Sequence, residues 1–374
     1  MPRFPSSCCA IILALLAACS SHEGAGGAPR ARAWTEAEGL FHRDPRWLGG
    51  DGALTIPLGG GRTLWLFGDS FVATGDPPDR RRSVIVRNSV AVQRGMDPRT
   101  AAMAFCWRVG PDGRPTSFFA DHEGRWWWPG HGVRLDGGPL VVFLLDVRST
   151  PGEGLGFAGD GYAVAIVDDP DAPPSQWRPR VVPASRPAFD VLPATAVVRD
   201  GDHVVAVAIR QHGAHAGALV RWPVAELARG ETAGAEWWTG TARGWVPERS
   251  LGRAGPAPVM DDAGSECSLH RDPVTGDWLH VATRGFGATT IVLRRAPALT
   301  GPWSEAVEVY RPPESDGPRP FVYAAKAHPE LRGPDPGDLV LTYATNSFEF
   351  GDLFTEAGQE RLAWPRLVVL PMGR

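Results

Sequence analysis

Residues 266–310 read ECSLHRDPVTGDWLHVATRGFGATTIVLRRAPALTGPWSEAVEVY, and their punctuation decides the fold. A short run at 268–271 enters an Asp-Pro-Val-Thr-Gly turn, and 278–283 returns from it. Residues 289–295 run out again, and 306–310 follow Thr-Gly-Pro-Trp at 300–303. Turn formers at that density, set between apolar and β-branched runs, predict four short antiparallel strands and leave little room for a helix. A four-stranded unit of roughly forty to fifty residues has the size of one β-propeller blade. Glu266 stands at the mouth of its first strand.

Four other segments repeat this grammar more loosely. Residues 51–58 turn through 59–62 into 63–67, with further strand at 83–93. Residues 128–135 turn at Asp136-Gly-Gly into 140–147, followed by 162–167 and a segment at Trp177. Residues 190–199 turn at Asp200-Gly-Asp into 203–209, then come 217–222 and Trp237-Trp238. Residues 323–331 turn through 333–337 into 339–345, and 364–370 close the chain. The repeat is one of strand pattern rather than residue identity, and it predicts an all-β fold, a five-bladed β-propeller. The 45 Gly and 36 Pro among 374 residues suit a chain this rich in turns, and a hydrophobic fraction of 43% supplies the core of a single domain over 34–374.

The N-terminus carries Arg3, an apolar run at 10–18 and then Leu16-Ala17-Ala18-Cys19. The run is too short to span a bilayer, and small residues before a cysteine resemble a bacterial lipoprotein signal. Residues 1–18 are then a signal peptide, Cys19 the lipid anchor, and 19–33 a flexible tether. An ordinary secretory signal is the plainer alternative, and it exports the same domain without the lipid. The expectation is an exported monomer, lipid-anchored to the bacterial cell envelope, with the membrane as a partner through Cys19. Cys106 and Cys267 are the other thiols of the exported domain; a disulfide and two free cysteines both stay open, and neither residue has metal-ligand spacing.

A formal charge of −4 argues against polyanions, so no nucleic-acid partner is expected. The run Arg80-Arg81-Arg82 reads as a solvated loop. Among 38 basic residues only Lys326 is lysine. An ammonium surviving in such a chain suggests a position where a planar guanidinium does not serve, chance survival being the alternative.

In a propeller the first strand of each blade lines the axis, and the following hairpin returns to the same rim. Counting outward from the turn centres places Asp51, Asp69, Trp128, His131, Asp146, Asp190, Glu266, Arg284, Lys326 and His328 on that rim. Converging acids, bases and aromatics are what glycosidic bond cleavage needs. One carboxylic acid protonates the leaving oxygen, and one carboxylate activates water or attacks carbon. Nearby cations tune these groups or hold hydroxyls, and tryptophans stack on sugar rings. Each residue also has a plainer reading. Asp69 serves equally as a strand-end cap, Asp51 as a turn residue after Gly49-Gly50, and His328 as a core histidine before Pro329. Most of the 15 Trp serve as packing. Asp136, Asp200 and Asp272 are turn formers and are left out of the site.

Trp47-Leu-Gly-Gly-Asp-Gly-Ala53, Leu64-Trp-Leu-Phe-Gly-Asp-Ser70, Arg87-Asn88-Ser89, Trp128-Pro129-Gly130 and Tyr323-Ala-Ala-Lys-Ala-His-Pro-Glu330 together resemble one bacterial family. It is the secreted propeller family, formerly a domain of unknown function, that includes mycobacterial-type endo-D-arabinanases. More distantly the chain is similar to the five-bladed arabinanase, xylosidase and fructosidase propellers. That resemblance implies a base or nucleophile at Asp51 and an acid at Glu266. It leaves the third group open, because His131 follows Trp128-Pro129-Gly130 where those enzymes place an aspartate; Asp69 or Asp146 would substitute. It also implies a histidine near the axis, here His328, helping to hold a central ion such as calcium, although no cofactor is required for the chemistry. The function implied is a glycoside hydrolase acting on a furanose-containing polysaccharide such as arabinan, with Asp51, Glu266 and Asp69 as catalytic residues. The rival is a non-catalytic sugar-binding or scaffold lipoprotein using the same funnel.

Overall fold

The run Leu64-Trp-Leu-Phe67 is apolar at every position because both of its faces are covered. Leu64 and Leu66 pack into one core layer, while Trp65 and Phe67 pack into another. Residues 204–209 divide in the same way, Val204, Ala206 and Ala208 to one side and Val205, Val207 and Ile209 to the other. Side chains alternate along a strand, so a continuous apolar run marks a sheet sandwiched between two neighbours.

The computed structural model describes residues 30–373, apart from 153–155, 185, 188, 212, 253–254, 286–288 and the side chain of Ala194. The expected signal peptide, Cys19 and most of the tether lie outside the described residues. Among the described residues the chain is mostly β, with five antiparallel sheets of four or more strands. Their first strands are β1 (Leu54–Gly59), β2 (Trp126–Arg134), β3 (Val191–Asp200), β4 (Cys267–Arg271) and β5 (Pro320–His328). Sheet one continues through Arg62–Phe67, Ser89–Arg94 and Ala102–Cys106. Sheet two continues through Leu140–Ser149, Phe157–Val167 and Arg180–Pro183. Sheet four continues through Trp278–Arg284, Thr290–Ala296 and Val307–Tyr310, as the opening stretch of sequence is punctuated.

The fifth sheet draws on both ends of the chain. Asp338–Ser347 and Arg366–Pro371 are followed by Arg32–Ala33, which pairs with Val368 and Val369. The tether boundary at Ala33 therefore moves: residues 32–33 are strand, not flexible linker, and the Ala31 amide also donates to Val309. Ser83–Val86 is a second correction. It does not extend sheet one but pairs with Ser70–Ala73, which pairs in turn with Trp47–Gly50 in a separate three-stranded sheet.

Each consecutive pair of sheets shares one apolar layer. Leu54, Ile56 and Leu66 of sheet one meet Trp127, Val142 and Leu144 of sheet two. Trp65 and Phe67 meet Val340, Leu367 and Val369 of sheet five. In the same order β2 packs on β1 and β3, β3 on β4, and β4 on β5. β5 returns to β1 through the hydrogen bond between His328 and Thr55. Among the described residues no helix is long and apolar enough to cross a membrane.

The basic run at 80–82 divides. Arg81 pairs with Asp79 at the surface, whereas Arg80 is 1% exposed. Arg80 donates to the carbonyls of Leu48, Leu353, Gly358 and Gln359 and stacks on Phe71 and Trp364. Burial without a carboxylate partner pushes its guanidinium down to about 10. This side chain locks residues 353–359 onto the strand that leads into Asp51. Arg80→Met should lower the unfolding free energy by about 3 kcal/mol, because it strands several buried carbonyls, whereas Arg81→Met should stay within about 0.5 kcal/mol of wild type in urea titrations.

Candidate active site

Asp51 reaches the site through an unusual turn. Gly52 and Ala53 both have left-handed backbones, φ 81° and 53°, a conformation unfavourable for alanine that surrounding contacts must hold. The turn points the Gly52 carbonyl inward. The hairpin ladder runs on past β1: the Gly68 amide donates to Asp51 O at 3.0 Å, and the Asp51 amide to Asp69 O at 3.3 Å. Asp51 and Asp69 thus stand opposite each other across the hairpin mouth. Gly68 is glycine because a Cβ there would overlap the Asp51 carboxylate.

The fifth sheet supplies the groups that complete this corner. β5 carries a bulge between Tyr323 and Lys326, with Ala324 at φ 58°. A bulge re-aims side chains at a strand mouth, and here Tyr323 and Lys326 both turn toward the entry to β1. The Tyr323 phenol donates to Asp51 Oδ2 at 2.7 Å. Lys326, 1% exposed, donates to Gly52 O at 2.6 Å and Ala324 O at 2.8 Å, and pairs with Glu266 Oε2 at 2.7 Å. Three acceptors around one nitrogen match the three N–H bonds of an ammonium and not the flat fork of a guanidinium.

Asp69 is held from the other side. Arg87 reaches its Oδ2 at 3.1 Å and the Trp128 indole N–H its Oδ1 at 3.0 Å. Arg87 also lies over the Trp126 ring at 4.3 Å. Asn88, fully buried, donates to the carbonyls of Phe119 and Trp127 and accepts from the Phe119 amide, so the Arg-Asn-Ser motif fastens the tryptophan strand to sheet one.

The electrostatics differ between the two aspartates. Burial first, then the charges of Asp69 and Glu266, push the Asp51 carboxyl up to about 7, against the Tyr323 hydrogen bond and Lys326. Burial also raises Asp69, but Arg87 and the Trp128 bond oppose it. Burial and the Asp51 charge hold the Tyr323 phenol well above its usual range, so it stays a donor.

The structure thus brings together Asp51, Asp69, Glu266, Trp128 and Lys326. Tyr323 and Arg87 are additions that sequence reasoning missed, although both lie in motifs it had singled out. The two rim histidines are engaged by neighbouring strands. The Val197 amide donates to His131 Nδ1 at 2.8 Å, so its Nε2 carries the proton given to Thr55 O at 2.9 Å. Burial pushes it down to about 4, and it acts as a neutral pin joining β1, β2 and β3. His328 is fully buried, with Nδ1 bonded to Thr55 Oγ1 and Nε2 to Thr342 Oγ1, and burial holds it well below its usual range. It keeps no nitrogen for an axial calcium, and among the described residues no group of three His, Cys, Asp or Glu is placed to hold a metal ion.

The remaining candidates stand apart from the trio. Asp146 is engaged by Arg125 at 2.8 Å, with His122 Nε2 3.2 Å away. Asp190 is half-buried before β3, its carbonyl accepting from Gln211. Arg284 is exposed at the end of its strand. Cys106 and Cys267 are both free and belong to different core layers; burial pushes the Cys267 thiol up to about 12. A cavity of about 490 Å³ runs between the first strands, lined by Thr55, His131, Ser268, Lys326 and Glu330 among others, but none of the three acids lines it. Lys326 separates that cavity from the carboxylates.

Lys326→Met should cost about 3 kcal/mol of stability, since it leaves Glu266 and two inward carbonyls without their donor. Lys326→Arg should not restore it. Chemical denaturation of both variants checks this, with Glu266→Gln as the milder comparison.

No curated protein matches the chain. Among solved structures it is similar to a protein from Bacteroides ovatus provisionally named a hydrolase, with a TM-score of 0.71 and 16% identity over 91% of this chain and 90% of the other. That likeness is one of fold. Structural neighbours also include glycoside hydrolases. The catalytic domain of an α-L-arabinofuranosidase from Coprinopsis cinerea gives a TM-score of 0.47 at 11% identity, over 87% of this chain and 92% of that one. An endo-arabinase from Bacteroides thetaiotaomicron gives 0.44 at 12%, over 87% and 95%. Scores of that size identify neither fold nor activity. A family model covers residues 35–369 of the 374, and its description states no activity. The chain belongs to that family, the domain of unknown function DUF5005.

Proposed function

We propose that the chain is an exported glycoside hydrolase, built as a five-bladed propeller, in which Asp51 is the proton donor and Asp69 its ionised partner. One observation carries this reading. Two aspartates face each other across one hairpin mouth; burial raises both, Asp51 to about 7 with a phenol on it, while a guanidinium and an indole N–H oppose the rise at Asp69. Environments that separate two neighbouring acids in this way assign the acid and the base. Asp51 protonates the glycosidic oxygen as its bond to the anomeric carbon breaks. Asp69 meets that carbon from the other face, directly or through water.

This reverses the roles implied by resemblance, in which Asp51 is the base and Glu266 the acid. Glu266 spends an oxygen on Lys326. Its charge instead helps keep Asp51 protonated. The five sheets, with shared layers between successive pairs and from the fifth back to the first, support the five-bladed reading. A furanose-containing polysaccharide, arabinan first, rests on the sequence resemblance. Export and a lipid on Cys19 rest on the N-terminal sequence.

The test is a panel of arabinans, galactans, xylans and fructans given to the protein freed of residues 1–19. Reducing sugar should be released from a furanose polymer, and Asp51→Asn and Asp69→Asn should each lower kcat by roughly 10²–10⁴. Because Asp51 must be protonated, kcat/KM should fall as pH rises through about 7, and Glu266→Gln should move that limb to lower pH. Activity untouched by both aspartate changes would contradict the site. Silence across the panel with measurable binding of one glycan would favour the scaffold reading.

A further inference from the structure

Exposed large hydrophobic residues are few among the described residues, and two of the three aromatic ones lead straight to the carboxylates. Phe348 is 49% exposed and packs on Phe321 with ring centres 4.8 Å apart. Phe321 packs on Tyr323 at 5.5 Å, and Tyr323 holds Asp51. On the other side Phe157, 37% exposed, meets Trp128 edge-on at 4.6 Å, and Trp128 holds Asp69. A row of rings therefore runs Phe348, Phe321, Tyr323, then the acid pair, then Trp128 and Phe157. Isolated exposed apolar residues need no explanation, but a row that continues into a cluster of acids does.

We infer that these two aromatic shelves are sugar subsites on opposite sides of the bond that is cut, so that Phe348 and Phe157 bind units of one polysaccharide chain. This rests on the hydrolase reading above and deepens it. The chemistry of the row identifies the occupant. Its centre offers two carboxylates, a guanidinium and a phenol, and its ends offer apolar ring faces. A ligand that fits both presents C–H faces to aromatic rings and hydroxyls to charged groups along one chain, as a carbohydrate does. A lipid tail would leave the polar centre unanswered.

The experiment uses the Asp51→Asn protein, which binds without cutting, and ladders of linear arabino-, galacto-, xylo- and fructo-oligosaccharides from disaccharide to octasaccharide. Calorimetry should show one ladder whose affinity rises with length. Adding Phe348→Ala or Phe157→Ala should weaken its longest members roughly three- to tenfold, as loss of one ring contact does, and leave the disaccharide unchanged. Both side chains are exposed enough for their removal to leave the melting temperature in place. A length dependence identical with and without the two phenylalanines overturns the inference, and cleavage by the wild-type protein then leaves the hydrolase reading standing. Length-selective loss without any wild-type cleavage keeps the shelves and removes the hydrolase. If no ladder binds, the shelves are overturned whatever the activity.

Discussion

The Lys326 ammonium is the constraint on which the rest of the site depends. Its three N–H bonds end on Gly52 in the turn before the first sheet, Ala324 of the fifth and Glu266 at the mouth of the fourth. Each attachment imposes something on its own chain. The Gly52 carbonyl points inward only because two successive residues adopt left-handed backbones, and the Ala324 carbonyl turns only because β5 bulges there. Unfavourable backbone at Ala53 and Ala324 is thus held in place by a single buried cation. Where 37 of 38 basic residues are arginine, the lysine is kept by the number and direction of its acceptors.

That cation also decides the charge pattern around it. By pairing with Glu266 it is spent, and Asp51 is left between two acids with only a phenol for direct support. Burial first, and then those two charges, raise its carboxyl. Holding a group in this state costs stability. Relative to an ordinary aspartate, Asp51 contributes most at pH below the usual carboxylate range, and that contribution is lost as pH rises through about 7. Asp69, only a hairpin's width away, has Arg87 and Trp128 to oppose the same burial, which still leaves its carboxyl raised. The difference between two chemically identical side chains comes from what the neighbouring sheets bring to them.

Much of this was legible in the sequence, and the limits have physical causes. Strand positions could be read because both faces of inner strands are covered, giving unbroken apolar runs such as 64–67 between strong turns. Asp51, Asp69 and Glu266 could be located because hairpin geometry follows from the turn centre. The fates of His131 and His328 could not, since nothing local shows that both nitrogens of a rim histidine will meet groups of neighbouring strands. Nothing local marks Arg80 as buried, because its partners at 353–359 are more than 270 residues away in sequence. Tyr323 and Arg87 lay within recognised motifs, but their roles depend on a bulge and on a neighbouring sheet. Arg32–Ala33 carries too short a pattern to read as strand, and only the free edge of sheet five defines it.

The central claim is that burial, together with the charges of Asp69 and Glu266, keeps a proton on Asp51 near neutrality. Carbon-13 NMR titration of the protein labelled at aspartate carboxyls, with Asp51→Asn to assign the signal, measures this directly. The Asp51 carboxyl should titrate near 7, and its midpoint should fall when Asp69→Asn removes the facing charge. An Asp51 signal that titrates in the ordinary aspartate range of about 4, indifferent to Asp69, would contradict the account.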